Sequence, residues 1–441
     1  MSTYWCELAW LSGEQAEAGV AIEVDGDRIG SVEPGAQSPP PGAERLNGLT
    51  LPGVANAHSH AFHRALRGRT QAERGSFWTW RERMYEVAGR LDPDSYLALA
   101  RATFAEMALA GMTAVGEFHY VHHTPGGTPY DDPNAMGAAV IEAALQAGIR
   151  ITLLDACYLH GGIGSPPDDA QRRFADADAA AWADRVAALK AGDGARVGAA
   201  IHSVRAVDPK SAGEVAAWAS ERSLPLHAHV SEQPGENRDA EAAWAQSPAA
   251  VLEAAGAVSE RFVAVHLTHP RDGDLGLLRG ATCCLCPTTE RDLADGIGPA
   301  SEMREAGMAI ALGSDSHAVV DHFEEARAVE LDERLAGGER GRHSAAELLR
   351  AATSSGHAAI GWPEAGRIEA GAPADLVTVS LDSVRLAGTA PATALEAVVF
   401  AATATDVHEV VAGGRRIVTE GRHAEIDVPA ELTAAVETLY A

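Results

Sequence analysis

The stretch LPGVANAHSHAFHRALRG, residues 51–68, places His58, His60 and His63 within six residues, directly after an apolar run. Side chains two apart on a strand share a face, so His58 and His60 at a strand end can turn both imidazoles to one side and grip one metal ion. The run itself is the first of eight. Short apolar, β-branched runs span Gly48 to Ala57, Met112 to Phe118, Arg150 to Ala156, Arg196 to Ile201, Leu224 to Ala228, Arg261 to Val265, Ala281 to Leu285 and Met308 to Gly313, each followed by a stretch of helical periodicity. Asp92-Pro93 opens one helix that Gly111 ends, and Pro133-Asn134 precedes another closed by Gly148. Eight strand and helix units over about 300 residues are the size of a (β/α)8 TIM barrel, an α/β fold whose reactive groups sit at the C-terminal ends of its strands. A doubly wound open sheet is the competing architecture, but no Gly-rich dinucleotide fingerprint follows the first strand.

The two ends of the chain read differently. GVAIEVDGDRIGSVEPG near the N-terminus, with GRIEAGAPADLVTVSL and EVVAGGRRIVTEG towards the C-terminus, are short alternating runs with Gly and Asp at turn positions. Neither end can bury a core alone, so residues 1–48 and 366–441 are expected to combine into one small β-sandwich domain beside a barrel over 49–365.

Composition limits the partners. The chain has 441 residues, 46% of them hydrophobic, and a formal charge of −27 spread along its length. That charge disfavours nucleic acid and anionic membrane surfaces, and an anionic substrate would need a local basic pocket. No apolar run approaches a membrane span, and the N-terminus lacks a basic signal region, so a cytoplasmic location is the default expectation. Five cysteines, three of them in ATCCLCP, suit reduced core residues. Cys283 and Cys286 share C-x-x-C spacing but would point to opposite faces of one strand.

The strand ends carry the chemistry. The residues following the runs are His58 and His60, Tyr120, His202 with Arg205, His229 with Glu232, His266, and Asp315 in GSDSH. A barrel brings all of them to one mouth. Three histidines and an aspartate can hold an ion that lowers the pKa of a water towards neutrality. Arg205 could contact a substrate carboxylate through a bidentate bond or close a loop salt bridge. His119, His122 and His123 form a second histidine cluster, read as scaffold because only alternate residues face the mouth.

HSH, HAHVSEQ, VHLTH and GSDSH, in that order, resemble the amidohydrolase superfamily over essentially the whole chain. HSHAFHRAL, SFWTWRERMY, GEFHYVHH, IHSVRAV and CPTTERDLADGIGP bring the resemblance closer to its formimidoylglutamate deiminases, which convert N-formimidoyl-L-glutamate and water to N-formyl-L-glutamate and ammonia in histidine degradation. The likeness implies one Zn2+ per chain on His58, His60, His229 and Asp315. It implies catalytic roles for Glu232, His266 and Asp315 in proton transfer, and a substrate pocket of His63, Arg81, Tyr120, His202 and Arg205 for a small dicarboxylate. A homodimer is expected, with Arg81 reaching a carboxylate in its own or a neighbouring subunit's site, or else stacked on the tryptophans beside it. His63 stands where many members carry Gln, which alters the contact to the formimidoyl group. The two-metal members use a carbamylated barrel lysine. Lys190 and Lys210, the only lysines, lie outside the strand runs, so one metal follows, with iron or manganese as alternatives to zinc. A related deaminase acting on a purine or other ring is the second functional reading, and a ligand-binding scaffold without activity the third.

Overall fold

The computed structural model describes residues 2–72 and 74–441. Among them the strands form two eight-stranded sheets. Strands β1 (Ser2–Ala9), β2 (Glu17–Asp25), β3 (Arg28–Glu33) and β4 (Glu44–Pro52) open the chain. The barrel follows as β5 (Val54–Ser59), β6 (Met112–His119), β7 (Arg150–Cys157), β8 (Ala195–Ile201), β9 (Leu226–Val230), β10 (Phe262–His266), β11 (Thr282–Leu285) and β12 (Ala309–Leu312). Strands β13 (Leu376–Val379), β14 (Val407–Ala412), β15 (Arg415–Thr419) and β16 (Arg422–His423) then join β1–β4 in a mixed sheet, with β13 antiparallel to β4 and β4 parallel to β1.

Strands β5 to β12 pair in sequence order, all parallel. Closure between β12 and β5 comes from backbone bonds just beyond the strands: Asp315 N–H donates to His58 O at 3.0 Å and His60 N–H to Asp315 O at 3.2 Å. Helices cover the outside, so β6, β9, β10 and β11 are buried along their whole length. Inside, small side chains such as Ala57, Ala114, Cys284, Cys286 and Ala311 fill the barrel, and Ile360 plugs its lower end. Cys283 packs outward and Cys286 inward, and the five cysteines are unpaired.

The first run is not one strand. Residues up to Pro52 pair with β1 and β13, and the barrel starts at Val54, so the chain passes from one sheet to the other at Gly53. A Cβ there would lie 2.3 Å from the Thr113 hydroxyl and 2.6 Å from Asp375 Cβ, and only glycine fits the crossing. No described helix is long and apolar enough to cross a membrane.

Candidate active site

Four side chains from three places in the chain converge at the C-terminal mouth. His58 and His60 come from the end of β5, His229 from β9, and Asp315 from the loop after β12. His58 Nε2 and His60 Nε2 each lie 3.5 Å from Asp315 Oδ1, and His229 Nε2 is 3.2 Å from His58 Nε2. The outer nitrogens explain this convergence. His60 Nδ1–H donates to Phe118 O and His229 Nδ1–H to His202 O, both at 2.8 Å, so each ring turns an unprotonated Nε2 inward. Burial pushes the His60 imidazole down to about 4, and holds those of His58 and His229 well below the ordinary histidine range. Neutral rings with lone pairs directed at one point beside a carboxylate are a donor set for one cation of the zinc type.

The backbone is bent to make this possible. Ser231, His266, Asp315 and His317 all have positive φ, between 45° and 69°, a conformation non-glycine residues adopt at a cost and hold where the surroundings over-determine it. Gly313 passes so close to β5 that a Cβ would meet His58 Cβ at 2.7 Å and His58 O at 2.8 Å. Beneath the histidines, buried Glu117 accepts from the Ser59 hydroxyl and from Ala61 N–H, which pins the turn carrying His60; burial pushes its carboxyl up to about 8 against those bonds.

Three further titratable groups, His266, Glu232 and Glu290, stand beside this cluster. His266 Nε2 is 3.8 Å from both Glu232 Oε1 and Asp315 Oδ2, and its Nδ1 is 3.3 Å from Glu290 Oε1. Burial opposes charge on this imidazole, but Glu232, Glu290 and Asp315 together push it up to about 10. Glu232 Oε2 accepts from Arg205 at 3.1 Å. Arg205 makes this salt bridge and also lines a cavity.

That cavity opens above the histidines. His63, Tyr120 and His202 line it, with the Tyr120 hydroxyl 2.9 Å from His63 Nε2. The helix Phe77–Ala88 lies across the mouth and brings Arg81 in from the same chain, its guanidinium 4.6 Å from the Trp78 ring and 5.5 Å from that of Tyr85. Arg81 thus stacks on an aromatic ring and still faces the cavity. Outside it, His119 and His122 lie near Asp155, whose two oxygens are already taken by Arg185 at 2.8 and 2.9 Å. A cation there would sit against a fixed guanidinium, which supports the scaffold reading. Lys190 and Lys210 are exposed, away from the barrel interior.

The model of the Amidohydrolase family matches residues 49–417. The chain belongs to the amidohydrolase family. This amidohydrolase is 37% identical over 440 residues to a formimidoylglutamate deiminase from Pseudomonas aeruginosa, covering 96% of each chain. It is 30% identical over 379 residues to a 5-methylthioadenosine/S-adenosylhomocysteine deaminase from Halobacterium salinarum, covering 83% and 80% of the two chains. An amidohydrolase structure from Brucella melitensis superposes over the full length of both chains with a TM-score of 0.92 and 32% identity. A zinc-complexed atrazine chlorohydrolase from Arthrobacter aurescens shares the fold, with a TM-score of 0.86 at 22% identity and full coverage of both chains.

Glu290 and Glu117 are among the polar groups of this amidohydrolase site that the sequence pattern does not name. Glu290 follows β11, a strand end at which the pattern names no residue, within CPTTERDLADGIGP. The signal is the position five residues past the end of β11.

Proposed function

We propose that this amidohydrolase is a formimidoylglutamate deiminase. It hydrolyses N-formimidoyl-L-glutamate to N-formyl-L-glutamate and ammonia in histidine degradation, using one Zn2+ per chain, as a cytoplasmic homodimer. The observation that carries the substrate class is the pairing, in one cavity of a strongly acidic chain, of two guanidiniums, Arg81 and Arg205, beside the proton-carrying carboxylate Glu232. Two cations suit a dicarboxylate. They are a poor match for a neutral ring, which favours the deiminase over a purine deaminase.

His58, His60, His229 and Asp315 would hold the ion, which when bound acts as a Lewis acid that makes water a competent nucleophile at neutral pH. Around it, the residues of the chain manage the protons. Water adds its oxygen to the formimidoyl carbon, the bond to the terminal nitrogen breaks, and that nitrogen, starting as =NH, leaves as NH3 with both protons of the water. His266 and Asp315 stand at the entry point of the water proton, and Glu232, 3.8 Å from His266, passes protons on to the departing nitrogen. Arg205 and Arg81 fix the carboxylates, and Tyr120, His63 and His202 complete the wall, which determines that the terminal nitrogen faces Glu232.

Mass analysis of the reaction of zinc-analysed protein with N-formimidoyl-L-glutamate tests the proposal. N-formylglutamate with stoichiometric ammonia is the expected result. Glutamate with formamide, or turnover confined to adenosine derivatives, overturns it. Metal analysis should give about one equivalent per chain, lost on His229→Ala.

A further inference from the structure

We infer that Glu290, in the short helix after β11, is the positioning residue that holds the His266 ring in its working orientation with a proton on Nδ1, an inference that rests on the proton-transfer role given to His266 above. His266 ends β10 at φ 69° and is followed by Leu267 at φ 51°, so two consecutive residues leave the strand in a conformation that the strand itself does not impose. Something beyond the local backbone must orient the ring. The Nε2 edge faces the reaction centre, 3.8 Å from both Glu232 and Asp315, and the opposite edge, Nδ1, faces Glu290 Oε1 at 3.3 Å. A carboxylate accepting from Nδ1–H leaves Nε2 free to take and return a proton at the centre, the same division of labour that a buried aspartate performs for a catalytic histidine elsewhere.

Glu290 is itself held. It lies in the short helix Pro287–Asp292, is 5% exposed, and its Oε1 also accepts from Cys286 N–H at 2.9 Å. That bond closes the turn immediately after β11, so the carboxylate is fixed to the barrel rather than to a mobile loop. The group orienting the proton carrier of the sixth strand thus comes from the seventh.

The test compares Glu290→Leu with Glu290→Gln in the zinc-loaded protein. Leucine removes the acceptor at similar volume; glutamine keeps an oxygen for both N–H groups without the charge. Losing a partner that orients a working imidazole is expected to lower kcat by about 10- to 100-fold. Glu290→Leu should show that loss with KM and zinc content unchanged, and Glu290→Gln should recover most of it. A Leu variant with wild-type kcat overturns the inference, as does one in which zinc content and KM fall in step with kcat, the mark of a merely structural role. Two-bond 1H–15N spectra of histidine-labelled protein, with the His266 signals assigned through His266→Asn, give a readout independent of substrate. In the neutral ring the proton should sit on Nδ1 in the wild type and redistribute in Glu290→Leu; an unchanged tautomer overturns the inference. If the wild type fails to turn over N-formimidoyl-L-glutamate, the substrate reading falls while the spectra still decide the role of Glu290.

Discussion

Glu232 touches two partners with different tasks, and substitutions separate them. Glu232→Gln preserves the volume and the bond from Arg205 but cannot carry a proton, so turnover should fall on the order of 10²- to 10⁴-fold with zinc retained. A Gln variant as active as the wild type removes Glu232 from the mechanism. Arg205→Ala should raise KM by about one to two decades, the cost of a charged hydrogen bond, and should lower kcat as well, because the same guanidinium holds Glu232. Arg81 has no bond to Glu232, so Arg81→Ala should move KM alone; steady-state kinetics on both variants separates the two effects. Gly313 is constrained by backbone, not by a side chain that could swing aside. Gly313→Ala should displace His58 and lose zinc, whereas Gly276→Ala, where an added Cβ meets nothing within 4 Å, should retain it.

At the scale of elements, the loop after β5 is clamped from the far end of the chain. The helix Val428–Tyr440 packs on the helix Pro93–Leu109, and its last turn reaches Ala65 and Arg69 beyond the histidine motif. The Tyr440 hydroxyl donates to Ala65 O at 3.1 Å, the Arg69 guanidinium lies 3.8 Å from the Tyr440 ring, and Arg90 donates to Leu439 O at 2.7 Å. Tyr440→Ala removes a hydrogen bond and a cation–π contact, together about 1 to 2 kcal/mol. The loop that follows His60 should then open more often, and a chelator should strip zinc faster than from the wild type. Equal stripping rates would show that the helix plays no part in holding the loop.

For the whole molecule, buried carboxylates add to the response to acid below the range in which buried neutral histidines such as His60 take up protons. Burial disfavours charge on Asp176, but the bonds from His123 and Arg185 pull its carboxyl down to about 2; the bonds from His343 and Ser301 do the same for Glu333 against its own burial, also to about 2. A carboxyl whose folded value lies below its unfolded value of about 4 contributes stability above that unfolded value and loses it as pH falls through the folded one. These two carboxyls should therefore lower the urea midpoint between about pH 4.5 and pH 2, and Asp176→Asn should start lower and fall less steeply over that range; identical slopes would place the acid sensitivity elsewhere. The barrel and most of its mouth were legible in the sequence because they are written locally. Apolar runs, helical periodicity and Pro or Gly punctuation mark each strand and helix, and the reactive residues follow the strands directly. Pattern alone determined that His58, His60, His229, His266 and Asp315 would meet. Only the tertiary structure decided that the first run divides at Gly53 between two sheets, that Arg205 pairs with Glu232, and that Glu290 stands behind His266, because each depends on a contact between segments that local sequence pattern does not specify.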